Sequence, residues 1–340
     1  MLRLPLLLPC LALIACGDTQ TSPRSEPDAA PEAAQPTEDG SEPPPPDQET
    51  PPEPDASEVP DQDAAAPSSG CGQPPGPNDQ VWSVTHDSRE RTFRVHLPPG
   101  YDAEVPTAVV LNFHGRGSNA QQQIAVSKLL AVSDAGGFIA VHPEGVGGTW
   151  NAGLCCGEAM DTKVDDVGFT RAMLDSLEAR LCVDSRRLFA TGLSNGGYMV
   201  QRLACEAADR IAAIGSVAGT NGFPACAPSR AVPVYHFHGT ADTVVPYDGF
   251  GGYTSVDATM KFWVSNNGCS GSSQTFFDKD EVSCEEWIGC HDEATVRLCT
   301  IDGGGHQWPG GFTIPMLGNN TDVISASEEV WSFFAAHPLP

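Results

Sequence analysis

After residue 100, two kinds of segment follow one another along the chain, and they differ in how their apolar residues are spaced. Short apolar runs without strict alternation recur, which is typical of strands covered on both faces. They lie at residues 107–113, 138–141, 188–191, 211–217, 232–237 and 294–301. Between them, apolar residues return at helical spacing over 121–135, 169–181, 198–208 and 256–265. The residues from Ser325 to Glu328 have the form of a capping box and predict a last helix that ends at Ala336.

Strands that alternate with helices predict the α/β class, with a doubly wound, mostly parallel sheet in a single domain. In such a sheet the active site lies at the carboxyl ends of the strands. Residues that carry chemistry are therefore expected in the loops that follow the predicted strands.

The first sixteen residues have the pattern of an export signal. Arg3 precedes an apolar run over residues 4–14, which is too short to span a bilayer and leads through small residues to Cys16. Residues 13–17 resemble the lipobox of bacterial lipoproteins, in which cleavage precedes the cysteine and lipid is attached to it. The resemblance predicts a lipoprotein signal peptide over 1–15 and lipidation of Cys16. An ordinary signal peptide with an incidental cysteine is the alternative.

Residues 16–70 are predicted to form a disordered, acidic and Pro-rich tether that begins with lipidated Cys16. The segment has almost no aliphatic side chains, so it cannot bury enough surface to fold. It carries fourteen acidic residues against Arg24 alone, and residues 71–340 keep a net charge of −14.

Nucleic acid is not expected as a partner of this acidic chain, because its binding needs Lys and Arg at the phosphates. We expect membrane contact through the lipid anchor only, and a monomer.

Ten cysteines lie in the predicted domain, at positions 71, 155, 156, 182, 205, 226, 269, 284, 290 and 299. An even number in an exported chain favours disulfides over free thiols, but their connectivity cannot be deduced from spacing. Zinc is disfavoured because no Cys-x-x-Cys pair occurs and His291 lacks a partner at ligand spacing. We expect neither a metal nor a cofactor.

The pentapeptide Gly-Leu-Ser-Asn-Gly at 192–196 matches Gly-x-Ser-x-Gly, in which a serine stands on a sharp turn between a strand and a helix. Such a match arises by chance in a glycine-rich chain, so its context decides. Residues 188–191 before it are strand-like and residues 197–203 after it are helix-like. This context predicts Ser194 as a nucleophile.

A serine hydroxyl needs a histidine that accepts its proton and a carboxylate that orients the histidine. On this kind of fold the chain order is serine, acid, histidine. Asp242 follows the strand predicted at 232–237, and His306 lies in a glycine-rich turn after the last predicted strand. Asp242 is therefore the expected acid and His306 the expected base, with Asp248 as the alternative acid.

An oxyanion in the reaction needs two backbone N–H donors, one after the nucleophile and one after an early strand. Asn195 is the expected source of the first. Arg116, in the loop after the strand at 107–113, is the expected source of the second, with Gly115 as the alternative. His114 precedes the serine in the chain and closes a strand, so we expect it to brace this loop.

These motifs resemble the poly(3-hydroxybutyrate) depolymerase family of esterases, which also contains feruloyl and acetylxylan esterases. The resemblance covers most of residues 90–335 and rests on segments 113–117, 150–153, 155–157, 164–169, 192–198, 238–247 and 303–310. It implies an α/β-hydrolase fold, with a single catalytic domain over 71–340 and a catalytic triad of Ser194, Asp242 and His306.

The resemblance also implies that Trp150 and Trp308 form walls of the substrate pocket, with burial in the core as the alternative for either. Tyr247 and Phe250 are expected near the same strand ends and supply further aromatic surface. Asp165 and Asp166 are expected to cap a helix rather than to act as acid and base.

The expected function is that of an exported serine carboxylic ester hydrolase, anchored by lipid to the bacterial cell envelope or extracellular. Its expected substrates are soluble short-chain, acetyl or hydroxycinnamoyl esters, including those on plant cell-wall polysaccharides, or a polyester. No module for holding a polymer is expected after Pro340, and this disfavours a polymer as the main substrate. A depolymerase of polyhydroxybutyrate or its oligomers is therefore the alternative. A catalytically idle, glycan-binding surface lipoprotein is an alternative of another class, and the triad alone does not exclude a peptidase.

Overall fold

A ten-stranded sheet forms the centre of residues 67–340, the part of the chain that the computed structural model describes. The predicted signal peptide, Cys16 and the predicted tether as far as residue 66 lie outside the described residues. The strands are β1 Asp79–His86, β2 Arg89–His96, β3 Thr107–Phe113, β4 Ile139–Pro143, β5 Val183–Leu193, β6 Ala213–Val217, β7 Val234–Gly239, β8 Gln274–Lys279, β9 Val282–Trp287 and β10 Val296–Ile301. The helices are α1 Ala120–Ser127, α2 Leu129–Gly136, α3 Glu158–Asp161, α4 Asp166–Arg180, α5 Asn195–Glu206, α6 Val256–Asn266 and α7 Ala326–Ala335.

The strand order is β1-β2-β4-β3-β5-β6-β7-β10-β9-β8. The six strands from β4 to β10 in this order run parallel. Antiparallel strands extend both edges, β2 and β1 on one side and β9 and β8 on the other. The predicted doubly wound, mostly parallel sheet is therefore confirmed, and each apolar run of the sequence lies in one of its parallel strands.

Helices cover both faces of the sheet, as strand β3 shows. Val109 and Leu111 pack into a core that contains apolar residues of α4, α5 and α6. The intervening residues Ala108 and Val110 pack on the opposite face, into a core with residues of α2 and α7. Strands β3, β4, β6 and β7 are buried at every position, which explains why their sequences show no polar alternation.

The single helix predicted over 121–135 is wrong, because two helices occupy this range. Lys128 has a φ of 55° and separates α1 from α2. Its backbone N–H donates to the Ile124 carbonyl and closes α1, while its Nζ donates to the Gly310 carbonyl at 3.0 Å. Apolar spacing does not detect one residue in the left-handed region, so the interruption was not visible in the sequence.

The four edge strands were not predicted because their sequences lack unbroken apolar runs. In β8, for example, five of six residues are exposed and one is half-buried. The predicted last helix is confirmed, since the Ser325 hydroxyl accepts a hydrogen bond from the Glu328 N–H at the start of α7.

The end of the predicted tether contacts the domain. Ser68 Oγ donates to the Leu181 carbonyl at 2.7 Å and accepts from the Val183 N–H at 2.8 Å. Gly70 donates to the Glu178 carbonyl at 2.9 Å. Residues 68–70 thus pack beside α4 and β5 instead of continuing the tether.

All ten described cysteines form disulfides. The pairs are Cys71–Cys182, Cys155–Cys156, Cys205–Cys226, Cys269–Cys290 and Cys284–Cys299. Four of these connect different segments, and the fifth joins neighbouring residues.

Among residues 67–340 no helix is long and apolar enough to cross a bilayer.

Candidate active site

Ser194 stands on a sharp turn between β5 and α5. Its φ of 57° and ψ of −120° are unusual for a residue with a side chain. Close backbone contacts enforce the turn: a Cβ atom on Gly196 would lie 2.1 Å from the Phe113 carbonyl oxygen, and one on Gly192 would lie 2.6 Å from the Gly196 carbonyl carbon. Only glycine fits these two positions, so the spacing of the pentapeptide follows from the turn.

His306 and Asp242 form a buried hydrogen-bonded pair. The His306 Nδ1 atom lies 2.7 Å from Asp242 Oδ2. The second oxygen of Asp242 accepts the Val244 and Val245 N–H groups, each at 2.8 Å. Burial alone would raise the pKa of Asp242, but the hydrogen bond and charge of His306, with the Val245 N–H, lower it below its ordinary value. Asp242 therefore stays ionised and fixes the orientation of the His306 ring.

A second histidine supports the loop that carries Asp242. His238 Nε2 lies 2.8 Å from the Val245 carbonyl oxygen, to which it donates, and 3.5 Å from Asp242 Oδ2. Its Nδ1 atom accepts from His236 Nε2 at 3.0 Å. Burial lowers the pKa of both histidines, so both are neutral near pH 7. The sequence showed only that His238 begins the acid loop, and it did not indicate this bracing role.

Ser194 and His306 lie on the wall of one cavity of about 260 Å³. Apolar side chains form most of the remaining wall, and among the described residues no Asp or Glu lines it. The lining residues are Gly115, Arg116, Ser118, Gln123, Val126, Cys155, Cys156, Leu193, Ser194, Val244, Val245, Tyr253, His306, Ile314 and Leu317.

The two expected oxyanion donors belong to segments next to Ser194. Asn195 is the first residue of α5, where a backbone N–H has no carbonyl partner within the helix. Its side chain holds Trp150, accepting the Trp150 N–H at 2.7 Å and donating to the Trp150 carbonyl at 3.0 Å. In the loop after β3, a Cβ atom on Gly115 would lie 3.4 Å from Ser194 Cβ, and the next residue, Arg116, lines the cavity.

His114 is fully buried beneath this loop. Its Nδ1 donates to the Gly115 carbonyl at 2.8 Å, and its Nε2 accepts the Gly145 N–H at 3.0 Å. Burial lowers its pKa. Both ring nitrogens therefore have backbone partners, and His114 holds the loop in place.

The expectation that Trp150 and Trp308 line the pocket is wrong, because both are fully buried in the core. Trp150 Nε1 donates to the His114 carbonyl at 2.9 Å, and Trp308 Nε1 donates to Ser327 Oγ at 3.1 Å. Tyr253 supplies an aromatic ring on the cavity wall.

Two other expected aromatics also lie elsewhere. Tyr247 lines a separate cavity beside α6, with its hydroxyl 2.9 Å from Thr300 Oγ1, and Phe250 is 78% exposed. Asp165 caps α4 as predicted, by accepting the Gly168 N–H. Asp166 instead forms a buried ion pair with Arg91 at 2.8 Å.

Curated relatives of this chain carry the names of esterases. Feruloyl esterase B of Piromyces equi is 31% identical over 64% of this chain, which spans 42% of that relative's length. The putative esterase NocK of Nocardia uniformis subsp. tsuyamanensis is 31% identical over 66% of this chain and 72% of its own. The probable feruloyl esterase C of Aspergillus niger is 28% identical over 80% of this chain and 92% of its own.

Solved structures share the fold at low sequence identity. An acetyl xylan esterase from Aspergillus awamori superposes with a TM-score of 0.52 at 15% identity, over 67% of this chain and 94% of that one. No family model matches the sequence. The 31% identity to NocK over 72% of its length shows that this chain belongs to the esterase family of NocK, and the solved structures show that it has the α/β-hydrolase fold.

Proposed function

We propose that this chain is a serine ester hydrolase in which Ser194 is the nucleophile, His306 the general base and Asp242 the orienting acid. One observation supports the proposal: Ser194, on its strained turn, and His306, which is hydrogen-bonded to Asp242, both line one cavity. The hydrogen bond from Nδ1 to Asp242 leaves the other ring nitrogen of His306 to act on the serine.

In acylation, the Ser194 hydroxyl oxygen attacks the ester carbonyl carbon while His306 Nε2 takes the hydroxyl proton. The carbonyl oxygen becomes an oxyanion, which the backbone N–H groups of Asn195 and Arg116 stabilise, with Gly115 as the alternative to Arg116. The tetrahedral intermediate then collapses, and the alcohol leaves with the proton from His306. In deacylation, water attacks the acyl-enzyme with His306 again as base, and Ser194 recovers its proton as the acid departs.

The proposed substrates are soluble hydroxycinnamoyl, acetyl or other short-chain esters, including esters on plant cell-wall polysaccharides. Two of the relatives are named feruloyl esterases, and an apolar cavity of about 260 Å³ suits one small acyl group. Assays of the protein with ethyl ferulate, p-nitrophenyl acetate and acetylated xylan as substrates test this assignment. Turnover of none of them would contradict it.

A polyester substrate is the second candidate, and exposed apolar residues favour it. Phe312 and Met316 are 60% and 88% exposed and flank Ile314, which lines the cavity. Phe250 precedes Tyr253 in a second exposed loop. Such a rim offers contacts to an apolar polymer such as polyhydroxybutyrate.

The proposed location is outside the cytoplasm, with a signal peptide over 1–15, lipid on Cys16 and a tether that leads to the catalytic domain. Five disulfides in residues 67–340 support this proposal, because disulfides persist in oxidising compartments. The idle glycan-binding alternative is tested by labelling with a fluorophosphonate probe. An active enzyme is labelled on Ser194, as peptide mass mapping would show, whereas an idle protein is not.

A further inference from the structure

The disulfide between Cys155 and Cys156 lies on the wall of the catalytic cavity. None of the other four disulfides of residues 67–340 lines this cavity. Cys155 is 3% exposed and Cys156 is half-buried, so Cys156 supplies most of the accessible surface of the pair.

Neighbouring contacts hold this sulfur pair in one place. Cys155 accepts the Ala152 N–H at 2.9 Å, and Leu154 donates to the Gly222 carbonyl at 2.8 Å. Cys155 Sγ also accepts from the Asn195 side chain at 3.6 Å. The disulfide is therefore fixed relative to Ser194, the neighbour of Asn195.

Fastening the chain does not explain this disulfide. In the chain-entropy account, a disulfide stabilises a fold by closing a loop of the unfolded chain, and the gain grows with loop length. Cys71–Cys182 spans 111 positions, whereas Cys155–Cys156 spans one. A bridge between neighbours restrains almost no additional chain, so its position beside Ser194 calls for another role.

We propose that the Cys155–Cys156 disulfide is a specificity-determining surface on which the planar ring of an aromatic acyl group lies. This inference rests on the proposed ester hydrolase function and names the acyl class that the cavity prefers. Sulfur is polarisable and makes favourable contacts with aromatic rings. A saturated ring of equal size gains less from contact with sulfur. Leu193 and Leu317 supply apolar surface elsewhere on the same wall.

Two esters of equal chain length test the proposal: ethyl 3-phenylpropanoate, with a planar ring, and ethyl 3-cyclohexylpropanoate, with a puckered one. The wild type should prefer the phenyl ester. In Cys155→Ala/Cys156→Ala the ratio of the two kcat/KM values should fall about tenfold. In the matched control Cys269→Ala/Cys290→Ala, which removes a disulfide away from the cavity, the ratio should stay at the wild-type value.

Two outcomes count against the proposal in different ways. An unchanged ratio in the cavity variant overturns it, whether both rates stay at the wild-type value or both fall by the same factor, as a merely structural role predicts. Failure of the wild type to hydrolyse these esters and p-nitrophenyl acetate overturns the proposed function itself.

Binding to Ser194→Ala with all disulfides intact gives a second test that is independent of the folding of the double variant. Calorimetry should show tighter binding of 3-phenylpropanoate than of 3-cyclohexylpropanoate. A merely apolar wall predicts the reverse order, because the saturated ring is the more hydrophobic, and that result would overturn the proposal.

Discussion

The Asp242 carboxylate and the His306 ring, 64 positions apart in the chain, meet at 2.7 Å because their strands are neighbours in the sheet. Strand β7 ends at Gly239 and pairs in parallel with β10, whose last residue, Ile301, lies opposite it. The loops that follow both strands therefore leave the same edge of the sheet side by side. Strand topology, rather than closeness in sequence, assembles the acid and the base.

Replacement of Asp242 by Asn should lower kcat/KM by about three to four orders of magnitude, because an amide does not hold the His306 ring in the required tautomer. Initial rates with p-nitrophenyl acetate measure the loss. Asp248→Asn is the matched control, since Asp248 is exposed in the same loop and was the alternative acid. Loss of activity in the control with retention in Asp242→Asn would transfer the role of the acid to Asp248.

Ser194→Ala should retain less than about 1% of wild-type activity while its far-UV circular dichroism stays unchanged. The hydroxyl is needed for acyl transfer, and alanine is no larger than serine in the turn. Ser118→Ala is the control, because Ser118 lines the same cavity and its hydroxyl donates to Gln122 rather than to a reacting group. Substantial activity in Ser194→Ala would remove the nucleophile assignment.

The loops of the site were predictable from sequence because each motif directly follows an apolar run. Ser194, Asp242 and His306 all lie just after buried strands, whose carboxyl ends must share one edge of a parallel sheet. Side-chain direction was less accessible. Trp150 and Trp308 stand beside site motifs, yet core packing turns both away from the cavity.

The disulfide surface could not be deduced from the sequence at all. Ten cysteines permit very many pairings, and spacing does not favour a bond between adjacent residues. The edge strands were missed for a related reason, since exposed strands such as β8 lack the unbroken apolar run that marks a buried one.

Acid should destabilise the domain in part through His142. Burial lowers its pKa to about 3, so the folded protein keeps it neutral while the unfolded chain protonates it below about pH 6.5. The contribution of neutral His142 to the free energy of unfolding is therefore lost as the pH falls from about 6.5 towards 3. Between pH 6.5 and 5, the free energy of unfolding of His142→Gln should decrease by up to about 2 kcal/mol less than that of the wild type, as measured by urea denaturation.

His96, which lines the same groove as His142, should behave oppositely. Burial alone would lower its pKa, but hydrogen bonds and charges of Asp79 and Asp134 raise it. Its contribution to stability is present below about pH 6.5 and is lost as the pH rises through the raised pKa. His96→Gln should therefore be most destabilised, relative to wild type, on the acid side. Equal pH profiles for the two variants would contradict both assignments.

Cys16→Ser should move the full-length protein from the membrane to the soluble fraction, because the proposed lipid is its only anchor. Cys10→Ser is the matched control, since Cys10 lies inside the predicted signal peptide and should be cleaved away. Fractionation after a high-salt wash and immunoblotting decide the outcome. Retention of Cys16→Ser in membranes would refute lipidation at this position.

Soluble esters should be better substrates than granular polyhydroxybutyrate. The cavity of about 260 Å³ accommodates one small acyl group, and a domain with a net charge of −14 has little tendency to adsorb to an apolar granule. Soluble short-chain or hydroxycinnamoyl esters should show kcat/KM of at least about 10³ M⁻¹s⁻¹, somewhat below the usual enzyme range. Granules should clear much more slowly per enzyme molecule.

The exposed rim provides the control that separates polymer adsorption from ester chemistry. Phe312→Ser/Met316→Ser removes two exposed apolar side chains that do not line the cavity, so turnover of p-nitrophenyl acetate should remain near the wild-type value. If the rim contacts polymer, the slow clearing of granules should fall further in this variant, because apolar contact area is lost. Soluble oligomers of 3-hydroxybutyrate, which need no adsorption, should be hydrolysed equally by both proteins. Rapid clearing of granules by the wild type, with negligible turnover of every soluble ester, would instead identify a polymer depolymerase.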